Sequence, residues 1–443
     1  MIYPIFTPKP KFQSIRRAVE THHFMEISGR VTQVVGLVVE SNGPAARMGD
    51  VCVIETGPRE RVLAEIVGFK GDRVQLMPLG EMHGVRAGCY VHSTGDCLTV
   101  PVGDALLGRV LDGLGHPLDN LGPLHVDEKY PVHAAPPQAL SRKMIEQPFA
   151  TGVKAIDSVL TMGVGQRVGV FAGSGVGKST LMGMIARNGS ADVNVIALIG
   201  ERGREVREFL QNDLGPEGLA RSVVVCATSD EPALVRIKAA LVATAIAEYF
   251  RDQGKDVMLM MDSVTRFAMA QREVGLATGE PPSTKGYTPS VFALLPRLME
   301  RAGCGPKGAI TGIYTVLVDG DDTNEPIADA ARGILDGHIV LSRKLTSRGH
   351  YPPIDILQSL SRVAPFVATE EHVRQAAHLR ELVAAYHDIE DLVQIGAYKQ
   401  GTNPLGDEAL AKWPAINQLL RQSKNDHAEY STAISLLNEV CGA

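Results

Sequence analysis

The stretch Ala172-Gly173-Ser174-Gly175-Val176-Gly177-Lys178-Ser179-Thr180 constrains this chain more than any other, because it follows the apolar run Val168 to Phe171 and precedes the helix-compatible Leu181 to Arg187. A strand that enters a glycine-rich turn and leaves as a helix gathers backbone N–H groups and the positive end of the helix dipole at one point. That arrangement suits a nucleotide polyphosphate. Gly173, Ser174, Gly175, Val176, Gly177 and Thr180 form the cradle, Lys178 reaches for the terminal phosphates, and the Ser179 hydroxyl takes a place on a bound Mg²⁺. The usual pattern begins with glycine where this chain has Ala172. An alanine suits a strand end, and Gly173, Gly175 and Gly177 leave the loop free to curl.

At 443 residues the chain exceeds one ordinary domain. Lysine plus arginine number 44 against 50 acidic residues, a net charge of −6, so there is no overall electrostatic case for nucleic-acid binding. Six cysteines, at 52, 89, 97, 226, 304 and 441, form no CxxC pair, which argues against a zinc site or a disulfide framework. No apolar run approaches the roughly 18–20 residues of a membrane span, and no secretory signal opens the chain. A cytoplasmic protein with reduced thiols is expected.

The chain reads in four stretches. Residues 1–25 hold Pro4, Pro8 and Pro10 and a short helical candidate with Phe12, Ile15 and Val19 on one face, either a docking helix or a loosely packed terminus. Over 26–100 come short β-rich runs, Gly29 to Glu40, Val51 to Glu55, Arg61 to Phe69 and Arg73 to Leu79, with a Gly71-Asp72 turn; a small β-barrel or sandwich is expected. A glycine- and proline-rich connector, 101–150, opens the 101–365 core. There strand candidates Val168 to Ala172, Val193 to Ile199, Val223 to Ala227, Val257 to Met261 and Ile310 to Val318 alternate with helical segments. Such alternation means a mostly parallel sheet covered on both faces, with ligands at the carboxyl ends of its strands. From 366 to 443 the strands stop. Val373, Ala376, Leu379, Val383, Tyr386, Ile389 and Val393 mark an amphipathic helix started by Thr369, and Trp413 to Leu420 and Tyr430 to Val440 follow beyond Gly401 to Pro404.

Hydrolysis needs more than a phosphate cradle: a second metal contact, a group that positions water, and compensation for charge on the transferring phosphoryl. The apolar run Val257 to Met261 ends in Asp262, the form expected when a buried strand delivers a carboxylate beside Mg²⁺. The strand Val193 to Ile199 ends in Gly200-Glu201-Arg202-Gly203-Arg204-Glu205, where Glu201 is placed to polarise water and Arg202 to face the phosphates; a merely solvated charged loop is the alternative.

These residues resemble the hexameric ATPases related to the catalytic subunits of rotary F-type ATP synthases, and within them the flagellar and virulence type III protein export ATPases. The resemblance runs from about Glu26 to Gln422. Its most specific segments are Phe171 to Thr180, Gly200 to Glu205, Gly279 to Phe292, Val318 to Asp329 and Leu335 to Arg343, and the wording of Asp319 to Asp329 is closer to the flagellar form. The fold it implies is a multi-domain α/β chain: an N-terminal β-barrel, a central RecA-like P-loop parallel-sheet domain and a C-terminal α-helical domain. It also implies Mg²⁺-dependent ATP hydrolysis by a homohexameric ring that energises protein export. Glu201 matches the catalytic glutamate, Arg202 an arginine near the γ-phosphate, and Asp262 the aspartate of the Mg²⁺ shell. Tyr351 matches an aromatic that packs on adenine, and Arg362 an arginine finger that enters the neighbouring subunit's site.

Implied partners are a stator-like regulatory protein at the N-terminus, a central stalk protein, an export gate membrane protein, and export chaperones with their cargo. The implied location is the cytoplasm, peripherally at the inner membrane. Alternatives are a virulence secretion ATPase, a catalytic subunit of a rotary ATP synthase, a nucleotide-bound scaffold without turnover, and a ring-shaped nucleic-acid motor. A strand-gripping barrel needs a basic groove with exposed aromatics. This one offers Phe69 and Tyr90.

Overall fold

The computed structural model describes residues 28–318 and 325–442, which fall into two compact units divided between Asp96 and Cys97. The expected N-terminal helix with Phe12, Ile15 and Val19, and residues 319–324 of the export-type segment, lie outside the described residues.

In the first unit Ser28–Val35, Val38–Ser41, Asp50–Glu55, Arg61–Lys70, Arg73–Pro78 and Tyr90–Cys97 close into a six-stranded barrel. Alternate residues point inward, and Val31, Val39, Ile54, Ile66, Leu76 and Val91 fill the interior. The run Gly29 to Glu40, expected as one strand, splits at Gly36, whose φ of 56° turns the chain back on itself. Gly71-Asp72 makes the two-residue hairpin turn expected of it, with Lys70 opposite Arg73. Gly29 is obligatory for closeness: a Cβ there would sit 2.0 Å from the Gly43 carbonyl oxygen. The closing strand Tyr90–Cys97 was not expected, because its Ser, Thr, Gly and Asp content hides the alternation. It pairs with Ser28–Val35 and removes an open sheet edge.

The second unit is built on a nine-stranded sheet. Its order is Ile354–Ser361, Gly337–Leu341, Arg167–Ala172, Ala309–Leu317, Asp256–Asp262, Val193–Ile199, Ser222–Ala227 and Val110–Asp112, with Gly303–Cys304 off the main path. Pairing is parallel through the centre; only Ile354–Ser361 and Gly303–Cys304 run antiparallel. Every residue of Val193–Ile199 and Ser222–Ala227 is buried, as near-continuous apolar runs between two helical layers must be, and the buried Asn194 and Ser222 bond one another through Asn194 Nδ2 at 3.3 Å.

All five strands expected in the core are present. Part of the connector is not a connector: Val110–Asp112 adds to the sheet beside Val224 to Cys226. Three residues between glycines carry no readable period. Their loop is closed by Arg109, whose Nε lies 2.7 Å from Asp119 Oδ2 and holds that carboxyl far below the usual carboxylate range. Gly337–Leu341 and Ile354–Ser361 likewise extend the sheet beyond the expected strands.

Beyond the sheet, helices Glu370–Gln394, Pro404–Leu420 and Tyr430–Cys441 pack together. Thr369 caps the first, its hydroxyl accepting from the His372 N–H at 3.2 Å. Leu379, Val383 and Ile389 are buried as the stripe predicts, while Val373, Ala376, Tyr386 and Val393 are half-buried. His372 and Leu382 join the buried face; His372 Nε2 lies 2.7 Å from the Ser158 carbonyl oxygen, which satisfies an imidazole that the polar pattern placed outside. The three-part architecture is therefore barrel, parallel-sheet domain and helical domain.

Candidate active site at the carboxyl edge of the sheet

The strand Arg167–Ala172 delivers the loop, and the helix Lys178–Asn188 leaves it. Gly175 and Gly177 adopt φ values of 74° and 101°, which side chains resist; this is where the loop needs glycine. Val176 is buried and anchors the loop, while Ser174, Gly175 and Ser179 are exposed and Gly173 is buried. Thr180 is half-buried.

Two neighbouring strands end beside Lys178. Leu198 pairs with Asp262 across the parallel ladder, so both strands finish at the same level. Lys178 Nζ lies 2.5 Å from Asp262 Oδ1 and 3.6 Å from Glu201 Oε1. Glu201 sits just past its strand because Gly200, at φ 69°, turns the chain, and a Cβ there would meet the Arg266 side chain at 3.1 Å. The Gly200 N–H donates to the Ala227 carbonyl and the Ser229 N–H to the Glu201 carbonyl, which ties the loop to the next strand.

One cation thus stands between two nearly buried carboxylates. Burial, and then the charge of Asp262, push the Glu201 carboxyl from 4.5 up to about 7, against the pull of Lys178 and Arg266. A carboxyl poised near neutrality is suited to exchanging a proton with water.

Among the described residues no group of three or more His, Cys, Asp or Glu side chains gathers to hold a metal. The oxygen donors at the loop are the Ser179 hydroxyl and the Asp262 carboxylate. That set fits Mg²⁺, which keeps several waters and completes its shell with substrate phosphates.

Beside the loop a 350 Å³ cleft is lined by Thr180, Leu181 and Met184 on one side and Tyr351, Pro353 and Gln422 on the other. Tyr351 is half exposed at its mouth, and its carbonyl accepts from the Gln422 N–H at 2.9 Å. A larger cleft of 770 Å³ opens between the sheet edge and the C-terminal helices; it takes in Ala172 and Gly173 but not Lys178, Glu201 or Asp262.

The chain brings Lys178, Asp262 and Glu201 together, with Ser179 the next residue on the loop, and leaves two expected residues apart. Arg202 is exposed, and its Nη1 lies 3.0 Å from Glu205 Oε1 rather than on the loop. Arg362 is exposed just past the strand Ile354–Ser361, and donates to the Leu335 and Arg332 carbonyls at 3.3 and 3.4 Å.

Three residues escaped the sequence reading. Arg266, one helical turn beyond Asp262, faces Glu201 and has a buried Nε with no hydrogen-bond partner among the described residues. Its place four residues past a strand-end aspartate was the available signal. Thr315 donates to Asp262, and Gln422 walls the cleft; neither carries a sequence signal.

The chain matches the ATP synthase alpha/beta family, nucleotide-binding domain, over residues 152–361, that family's beta-barrel domain over 31–95, and the T3SS EscN ATPase C-terminal domain over 368–439. It is 52% identical over 440 residues to the flagellum-specific ATP synthase of Bacillus subtilis (strain 168), covering 98% of this chain and 99% of that one. It is also 52% identical over 415 residues to the type 3 secretion system ATPase of Xanthomonas euvesicatoria, covering 93% of each. The assembled ATPase EscN from the enteropathogenic E. coli type III secretion system superposes with a TM-score of 0.87 at 48% identity, covering 94% of this chain and 100% of that one. The same values hold for EscN in complex with its central stalk EscO.

Proposed function

The chain belongs to the ATP synthase alpha/beta family, alongside the flagellum-specific and type III secretion ATPases, and from that membership we propose that it hydrolyses ATP as a homohexameric ring to energise protein export, flagellar subunits foremost. The observation that carries this reading is the Lys178–Asp262–Glu201 cluster beside the phosphate loop, with separations of 2.5 and 3.6 Å.

Polyphosphate entering the loop meets backbone N–H groups and the start of the helix Lys178–Asn188. Lys178 exchanges its carboxylate partners for phosphate oxygens. Ser179 and Asp262 would hold Mg²⁺, which would supply neutralisation of phosphate charge. Glu201, released from the ammonium, orients the attacking water, and Arg266 balances charge beside it. Adenine occupies the cleft between Tyr351 and Gln422, so the segment after the helix Pro404–Leu420 provides the second wall. Arg362 has no partner role within its own site. Its exposed position past the edge strand suits a finger that reaches a neighbouring copy, and Arg202, exposed on the Glu201 loop, is available for the phosphates once it leaves Glu205.

The proposed partners are a central stalk protein, a stator-like protein at residues 1–25, an export gate membrane protein, and chaperones with cargo, at the cytoplasmic face of the inner membrane. No described helix is long and apolar enough to cross a membrane. Boundaries near residues 25, 100 and 365 separate the proposed functional parts.

The test is Mg²⁺-dependent phosphate release per subunit against protein concentration, with Glu201→Gln as the blank. Specific activity that climbs with concentration and vanishes in the blank supports a ring with a finger acting in trans. No release at any concentration refutes self-sufficient turnover.

A further inference from the structure

Asp262 Oδ1 accepts two hydrogen bonds, from Lys178 Nζ at 2.5 Å and from the Thr315 hydroxyl at 2.7 Å. Thr315 stands in the strand Ala309–Leu317, next to Asp256–Asp262 in the sheet. Met261 pairs with Tyr314, so Asp262 and Thr315 are the next rung of the ladder. Thr315 is fully buried. Its immediate strand neighbours, Tyr314 and Val316, are buried as well, and valine would fill the same volume without a polar atom. A hydroxyl in such a place costs free energy unless it is bonded. Here its bond goes to a carboxylate, the stronger kind of acceptor.

The two partners of Oδ1 differ in permanence. Lys178 hangs on a flexible stem at the loop and is the group that polyphosphate draws away. Thr315 is locked in a central strand. When Lys178 turns to phosphate, the Thr315 hydroxyl is, among the described residues, the side-chain donor that remains on Asp262 Oδ1, and the carboxylate's terminal torsion is otherwise broad.

We propose that Thr315 is a positioning residue for hydrolysis: its hydroxyl holds the Asp262 carboxylate in place for the metal shell when Lys178 leaves for the nucleotide. This rests on the ATPase reading above. Partners of metal-site carboxylates characteristically contribute about 10- to 100-fold in metal affinity or activity.

The test compares Thr315→Val, which keeps shape and deletes the hydroxyl, with Thr315→Ser, which keeps the hydroxyl. Binding of a fluorescent ADP analogue is titrated with Mg²⁺ and with EDTA, and phosphate release is measured against free Mg²⁺. In Thr315→Val the half-saturating Mg²⁺ rises about tenfold and kcat falls, affinity in EDTA stays at the wild-type value, and Thr315→Ser restores Mg²⁺ dependence. If Thr315→Val is not folded by circular dichroism, Thr315→Ala carries the same comparison. Wild-type Mg²⁺ dependence in the hydroxyl-free variant, or a serine variant as impaired as valine, overturns the proposal. Should wild-type protein release no phosphate, the ATPase reading fails while the Mg²⁺-dependent ADP titration still decides the role of Thr315.

Discussion

Replacing Glu201 by glutamine sharply lowers turnover and, above neutral pH, makes the protein more stable. The Glu201 carboxyl moves from 4.5 to about 7 on folding, a change of 7 − 4.5 = 2.5 units, chiefly through burial. At 1.36 kcal/mol per unit, keeping it ionised at pH 8 costs about 3 kcal/mol relative to a neutral isostere. An acid whose folded pKa is raised contributes stability that is fully present below about 4.5 and is lost as pH rises through about 7. Glutamine copies the neutral form at every pH. The variant therefore gains most at pH 8, and the gain shrinks as pH falls toward 4.5.

For the unit beyond Asp96, about 350 residues, an unfolding entropy of about 2.1 cal/mol/K per residue turns 3 kcal/mol into a Tm rise of about 4 °C. Differential scanning calorimetry of nucleotide-free protein at pH 8 and pH 5 reads this directly. Phosphate release falls by about 10²–10⁴-fold in the same variant. In wild type, kcat/KM rises with pH through about 7 as Glu201 ionises. A Tm at pH 8 that is unchanged or lower, or a gain equal at both pH values, refutes the argument that burial of a charged Glu201 is a cost the fold bears for catalysis.

Arg362→Ala leaves ring assembly intact by analytical ultracentrifugation yet lowers ring turnover by about 10³–10⁵-fold, while the slow rate of dilute protein is unchanged; equal losses at all concentrations would sink the trans assignment. Asp157→Ala orphans three buried donors, the Thr151 N–H at 2.8 Å, its hydroxyl at 2.7 Å and the Gly152 N–H at 3.0 Å. It lowers stability by about 3 kcal/mol, read as a shift of the urea midpoint. Gly183→Ala gains about 1 kcal/mol of helix propensity but puts a Cβ 2.6 Å from the Asp213 carbonyl oxygen, so net destabilisation is expected in the same titration.

Much of the site was legible in the sequence because it is local. The loop Gly173 to Thr180 is one strand, one turn and one helix. Glu201 and Asp262 each end an apolar run, and in a parallel sheet such ends share one edge. The central strands and the helix starting at Thr369 were legible for the same reason, since period and caps are properties of neighbours in the chain. Short edge strands were not: Val110–Asp112 is too brief to carry a period, and Tyr90–Cys97 has a polar face that masks it.

What the sequence by itself determined is which residues have the chemistry, a lysine and serine on a phosphate loop and two carboxylates at strand ends. Only the tertiary structure decided how they are tuned. Thr315 meets Asp262 through the register of two strands 53 residues apart. Arg266 meets Glu201 because a helix packs over Gly200, and Gln422 reaches Tyr351 because the chain's last helices fold back on the loop. Those contacts join segments distant in the chain, and burial depends on what surrounds a side chain in space, so no local pattern could carry them.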